Sequence, residues 1–167
     1  NAQLADAQLA DPGTACRDHP PLCAIAGVGT IVEHSEGPGG RYRIVVLGRA
    51  RVRLQELRFA APYRRALATL LPCPNHQVPE RELLALRTAA SSFAALLQRK
   101  EPSFRLRLPA GGSASTLVDA CADQLVIDAR QRQAVLEALD VRDRVRQVAQ
   151  VLTVQQVTLE PEPDHSN

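Results

Sequence analysis

Methionine and tryptophan are absent from this 167-residue chain, aromatic residues make up only 3% of it, and Lys100 is the one lysine among 20 basic residues. The lack of even an initiator methionine leads to the expectation of a processed or truncated chain. The scarcity of lysine excludes more. A phosphate-binding loop needs several glycines followed by Lys-Ser/Thr, so that backbone N–H groups and an ammonium meet the phosphates. Lys100 lies instead in Gln98-Arg99-Lys100-Glu101, with no glycine nearby. A Ser-Lys dyad would have to use that same residue at a polar helix end. The sequence also lacks a Gly-x-Ser-x-Gly elbow and a His-Glu-x-x-His zinc helix. Catalysis has no visible equipment, so the chain is read as non-enzymatic, with no cofactor.

Long apolar runs are missing too. The uncharged run Pro20 to Val32 is thirteen residues long and broken by Pro and Gly, whereas a membrane-crossing helix needs about 20. No membrane partner is expected. The N-terminus carries no basic start followed by an apolar core and a small-residue cleavage site, so the cytoplasm is the expected compartment. Four cysteines (Cys16, Cys23, Cys73, Cys121) are too sparse in a chain of this length for a disulfide scaffold and are read as mostly reduced thiols. A formal net charge of +2 gives no global case for nucleic acid.

What is present changes character near residue 60. Residues 1–10 read as the end of a helix stopped by Asp11-Pro12-Gly13. Val28, Ile31 and Val32 form a strand, and His34 to Gly40, with four Gly/Pro residues, makes a turn. Arg41 to Leu47 returns. Gly48 interrupts the second arm, which predicts a bulge or bend, and Arg49 to Leu57 continues with Ala50, Val52 and Leu54 on one face and Arg49, Arg51 and Arg53 on the other. From Pro62 the spacing of Tyr63, Ala66, Leu67 and Leu70 predicts a helix, ended by Pro72 and Pro74. A longer helix starts at Pro79, with Leu83, Leu86, Ala90, Phe93 and Leu97 as its apolar stripe. Ser103 to Leu108 is read as extended. Later helices start near Thr116, at Asp128 with Gln131, and at Asp140 with Asp143, which places a break at Leu139-Asp140. The domains expected are therefore a β-rich lobe over 1–60, a helical lobe over 61–154 and an acidic, disordered tail over 155–167.

Two local clusters carry candidate chemistry. Cys16, His19 and Cys23 bring three possible metal ligands into eight residues, but the paired C-x2-C knuckles of structural zinc sites are missing. The simpler interpretation is a Pro-rich loop, and no metal is assigned. Arg41 to Arg65 holds eight arginines against one acid, Glu56. That face suits RNA phosphates, yet only Tyr42, Phe59 and Tyr63 accompany it, and RNA readers stack bases on exposed rings. A solvated arginine face on an outer strand is the plainer alternative.

The segment Val28-Gly-Thr-Ile-Val32, the turn ending Gly40-Arg-Tyr-Arg-Ile44, and Leu47-Gly-Arg-Ala-Arg-Val52-Arg-Leu together resemble the N-terminal domain of Lon proteases (peptidase family S16, bacterial protein degradation). In that family a VGT strand leads through a GRY turn to a G-x-x-R-[FV]-R strand. Leu125 and Arg132-Gln-Ala-Val-Leu136-Glu-Ala-Leu-Asp140-Val-Arg-Asp-Arg144-Val resemble its RQ-x-LLE-x-x-DV-x-x-R segment. The resemblance implies an α+β fold: an N-terminal PUA-like β-barrel lobe, then a C-terminal helical bundle. It also implies capture of unfolded or extended polypeptide, with a protease acting in trans as a further partner. The family's opening strand and F-E-x-R-Y helix start are absent. So are the ATPase and protease parts, which suggests a stand-alone substrate-binding protein or an excised fragment. The polypeptide-binding candidates are Tyr42, Phe59, Tyr63 and Arg64; RNA binding by Arg41 to Arg65 is the alternative.

Overall fold

The computed structural model describes residues 20–59, 62–74 and 76–160. The chain divides into two compact units, Asn1–Pro72 and Cys73–Asn167.

The first unit is an antiparallel sheet in the order β1-β2-β3. Strand β1 runs from Ile25 to Gly37 and β2 from Arg41 to Glu56, joined by the tight turn Pro38–Gly40. Both turn glycines have positive φ, 72° at Gly39 and 70° at Gly40, a conformation that side chains with a Cβ resist. The arms of the hairpin are longer than their apolar patterns predict. They pair from Gly37↔Arg41 to Ile25↔Arg53 with two irregularities, between Val28 and Gly29 and between Ile31 and Glu33. The first explains the glycines of the motif. Gly29 faces Gly48 across the ladder, and a Cβ at Gly29 would stand 2.5 Å from Val46 Cγ1 and 2.7 Å from the Leu47 carbonyl oxygen. Here β2 carries the extra residue Arg49, so the bulge predicted at Gly48 is present and β2 continues through it as one strand.

The helix predicted from Pro62 is not formed. Ala66–Leu70 is instead β3, paired with β2 from Glu56↔Ala66 to Val52↔Leu70. A short apolar run between prolines fits either period, and its helix-favouring alanines and leucines are overridden by pairing with an available strand edge. The β unit therefore extends to Pro72, beyond the boundary near residue 60. The barrel implied by the resemblance is also not closed: among the described residues the sheet has three strands and keeps its edges. Three strands are too few for closure.

The second unit contains α1 (Glu80–Lys100), α2 (Ala114–Leu125), α3 (Ala129–Glu137) and α4 (Val141–Leu159). Each start has a local cause. Pro79 precedes α1, with Glu80 and Glu82 in the first turn, where carboxylates meet the positive end of the helix dipole. The Ser113 hydroxyl accepts from Thr116 N at 3.2 Å, and the Asp128 carboxylate from Gln131 N at 2.9 Å. The Asp140 carboxylate accepts from Arg142 N at 2.8 Å and Asp143 N at 3.3 Å. These caps satisfy N–H groups that have no partner within the helix. The predicted break at Leu139-Asp140 is the gap between α3 and α4.

The helices share one core. Leu86, Ala90, Phe93 and Leu96 of α1 meet Val118, Cys121 and Leu125 of α2 and Val145, Val148 and Leu152 of α4. The segment before α2 is extended and alternates, Phe104, Leu106 and Leu108 packing inward, although it joins no sheet. Gln124 pins it, accepting from Arg107 N at 2.8 Å and donating to Arg107 O at 2.7 Å. Residues 155–159, expected to belong to the tail, instead complete α4. The amide of Gln155 donates to Leu125 O and accepts from Ile127 N, both at 2.9 Å, which ties that last turn to the end of α2. The helix predicted over residues 1–10 lies outside the described residues, as do residues 161–167.

Candidate functional site

The hairpin is the most exposed apolar element of the chain. A β-strand sends alternate side chains to opposite faces, and directly paired residues share a face. Tyr42, Ile44 and Val46 of β2, paired with Glu36, His34 and Ile31, therefore form one face of its distal half. Arg41, Arg43, Val45 and Leu47, paired with Gly37, Ser35, Glu33 and Thr30, form the other. On the first face Tyr42 is 65% exposed, Ile31 56%, and Ile44 and Val46 each 52%. On the second, Val45 and Leu47 are also exposed. Val32, bulged out of the ladder between them, is 55% exposed. Apolar side chains on both faces of a strand are the pattern of a strand covered on both sides. Among the described residues of the β unit nothing covers either face, and an exposed apolar surface of this kind marks an interaction site.

The sheet edge is open as well. On one side β2 pairs with β1 along its length, and on the other with β3 over Val52 to Glu56 alone. Leu71 N donates to Arg51 O at 2.9 Å, and Pro72 follows. Proline has no N–H to continue a ladder. Beyond it, among the described residues, no strand pairs with that side of Arg41 to Ala50.

The four candidate residues are not gathered at one spot. Tyr42 stands beside the hairpin turn, whereas Phe59 and Tyr63 follow the far end of β2; all three are exposed. Arg64 serves as a brace. Its Nε donates to Glu56 Oε1 at 2.6 Å, its Nη2 to Glu56 Oε2 at 2.9 Å, and its Nη1 to the Pro20 carbonyl at 2.7 Å. This planar, two-pronged pairing fixes the segment after β2 against the start of the described chain. The basic run is thus divided: Arg64 is occupied, Arg49 donates to Thr30 Oγ1 at 3.2 Å, and Arg41 and Arg43 project into solvent. Ile31, Val32, Ile44 and Val46 were not among the candidates. Their signals were the apolar pair Ile31-Val32 and the run Ile44 to Leu47, which report strands without reporting whether those strands are covered.

Of the metal candidates, Cys16 and His19 lie outside the described residues, and Cys23 is an exposed free thiol. Among the described residues no cluster of His, Cys, Asp or Glu has the arrangement of a metal site. Cys121 is buried, and that burial pushes its thiol up to about 11, which keeps it protonated and unreactive. No helix among the described residues is long and apolar enough to cross a membrane.

In the helical unit the charged groups hold helices together. Glu82 of α1 accepts from Arg142 Nη2 at 2.8 Å and from Arg146 Nη2 at 2.9 Å, both on α4, and these bonds hold its carboxyl down at about 2. His76 contacts the Asp140 carboxylate, and that hydrogen bond, first among the causes, lowers the Asp140 pKa. Arg144 is fully buried. Its Nη1 donates to Ala138 O at 3.1 Å and Leu139 O at 2.8 Å, closing the end of α3, and its Nη2 donates to Ser115 Oγ at 2.7 Å. Its Nε lies 3.3 Å from Asp119 Oδ1, an ion-pair contact not aligned as a hydrogen bond.

An open antiparallel sheet followed by four helices defines an α+β protein, and a solved structure shares that architecture. The N-terminal domain of Mycobacterium avium complex Lon protease superposes with a TM-score of 0.55 at 21% identity, over 81% of this chain and 72% of that one. A Lon protease of Roseiflexus castenholzii (strain DSM 13941 / HLO8) is 31% identical over 135 residues, which is 78% of this chain and 17% of that protein's length. The family model of the ATP-dependent protease La (LON) substrate-binding domain matches residues 7–154. The chain belongs to that family.

Proposed function

We propose that this chain captures exposed, extended segments of other polypeptides on the β1–β2 ribbon, and that within these 167 residues it binds without catalysing. One observation carries the proposal: Ile31, Val32, Tyr42, Ile44, Val45, Val46 and Leu47 stand in solvent on both faces of a hairpin in a substrate-binding family. Uncovered apolar surface on a paired, shape-stable strand gains free energy at roughly 25 cal/mol per Å² when a partner covers it. It needs no particular partner sequence to do so. Tyr42, Phe59 and Tyr63 add rings that cover large apolar areas at small entropic cost. On this reading the sheet is part of a PUA-like lobe, the four helices are the family's helical bundle, and captured segments pass to a protease acting in trans in the cytoplasm.

The test is binding of a permanently unfolded model protein, such as reduced and carboxymethylated α-lactalbumin, followed by fluorescence anisotropy. Binding that disappears in an Ile44→Ser/Val46→Ser variant with an unchanged circular dichroism spectrum supports the proposal. A chain that leaves the unfolded protein free at every concentration overturns it.

A further inference from the structure

The reading above leaves open which segments are taken up, and the register of β2 bears on that choice. Arg41 to Ala50 is a lane beside β2 about ten residues long, or about 34 Å at the strand rise. It lies in line with β3, whose pairing with β2 ends at the Leu71–Arg51 bond before Pro72. In an antiparallel ladder half of a strand's N–H and C=O groups point to each side, so the lane holds a row of donors and acceptors ready for another strand. An extended segment entering it would have its side chains sorted by face. Those on one side would lie beside Tyr42, Ile44 and Val46, an apolar column. Those on the other would lie beside Arg41 and Arg43, then Val45 and Leu47, with the bulged Arg49 beyond.

The charge of the lane selects its occupant. Within the lane β2 carries three arginines, Arg41, Arg43 and Arg49, and no acid, while the acids Glu33 and Glu36 stand on β1, on the far side of β2 from the lane. A second copy pairing lane to lane would bring arginine-rich strands together, which like-charge repulsion disfavours. An acidic strand gains cross-strand ion pairs. We propose that the open edge of β2 takes up polypeptide as an added strand, and that it prefers segments in which apolar residues alternate with acidic ones. The proposal rests on the polypeptide-binding reading and deepens it. Main-chain hydrogen bonds supply affinity for any extended chain, and the two faces supply the selection.

The experiment titrates the full chain into labelled ten-residue peptides and reads anisotropy. The set comprises alternating Val-Glu, the same residues in two blocks, alternating Val-Lys, and alternating Val-Glu N-methylated at every second residue. The carboxymethylated unfolded protein and an oligouridylate RNA accompany it. Alternating Val-Glu should bind about tenfold tighter than the Val-Lys peptide, a difference set by opposed against like charges across the lane, and about tenfold tighter than the block peptide, which cannot sort apolar and acidic side chains to opposite faces. N-methylation should cost about tenfold or more by removing the peptide's edge hydrogen bonds. An Arg41→Glu/Arg43→Glu variant, altered only at exposed positions, should reverse the order of the Glu and Lys peptides. If the unfolded protein binds but the four peptides do not differ, the strand-lane inference falls and the broader reading stands. If neither the unfolded protein nor any peptide binds, or if only the RNA binds, both fall. In the free chain rapid hydrogen exchange is expected at the alternate amides of Arg41 to Ala50 that face away from β1, the others being bonded to β1; protection of those lane-facing amides would mean the lane is already covered and would overturn the inference alone.

Discussion

The two units spend their apolar residues in opposite ways. Among the described residues the β unit buries two apolar side chains below the surface, Val52 and Leu57, while the helical unit buries sixteen in one cluster. Their compositions do not explain this difference, because the hairpin is rich in Val, Ile and Leu. Helices carry their own backbone hydrogen bonds and can turn one stripe inward, so four of them enclose a core without outside help. A two-stranded ribbon has two faces and two edges and can bury none of them alone. The unit that is complete in itself reads as scaffold, and the one with uncovered surface reads as the place where a partner belongs.

Substitutions can break or sharpen that contrast. The largest loss should come from Phe93→Ala, at the centre of the helical core and fully buried: about 3–5 kcal/mol in urea unfolding followed by circular dichroism. Arg144→Ala should cost about 3 kcal/mol by leaving Ala138 O, Leu139 O and Ser115 Oγ without their donor, whereas Arg144→Met, which fills the space, should cost less than Ala. Equal losses for the two would mean that the lost hydrogen bonds rather than packing govern the site. Ser113→Ala removes the cap of α2 and should lower stability by about 1 kcal/mol in the same assay.

A pH series probes the α1–α4 clasp. The Glu82 carboxyl sits at about 2 in the folded chain against an ordinary 4.5. The folded state therefore binds the proton less readily than the unfolded one. The stabilisation is fully present above about 4.5 and is lost progressively as pH falls from there toward 2. Denaturation midpoints should decline across that window, and Glu82→Gln should flatten that part of the decline. The smallest effect on stability should come from Ile44→Ser on the exposed ribbon: within about 0.5 kcal/mol of the parent, with weakened binding of unfolded polypeptide. A large stability loss at Ile44 would show that the ribbon is covered, and would erase the contrast between the units.

The helical unit was legible because its determinants are local. Asp128 with Gln131 and Asp140 with Asp143 announce helix starts through side chains that reach two or three residues ahead, and the stripe Leu86, Ala90, Phe93 follows the helical period. The hairpin was legible for a similar reason, its turn glycines lying next to the strands they join. Strand β3 was misread because its conformation comes from β2, ten or more residues away in sequence, while Ala66 and Leu67 by themselves favour a helix. Arg64 was a candidate for binding because an arginine in a basic run resembles a free cation. Only the fold brings Glu56 and Pro20 to it. Arg144 fell inside the family motif, but nothing in the string of letters announces a guanidinium sealed within a core.

The sequence by itself therefore determined the local grammar of this protein: the caps at Asp128 and Asp140, the turn, the bulge at Gly48 and the apolar stripes. It also carried enough of the motif to place the chain in its family. The tertiary structure alone decided where β3 pairs, that Pro72 ends that pairing and leaves Arg41 to Ala50 open, and that the apolar residues of the ribbon stay in solvent. Local conformation depends on neighbours in the chain, which a sequence states outright. Exposure depends on what the rest of the chain brings into contact, and that is settled only when the chain has folded.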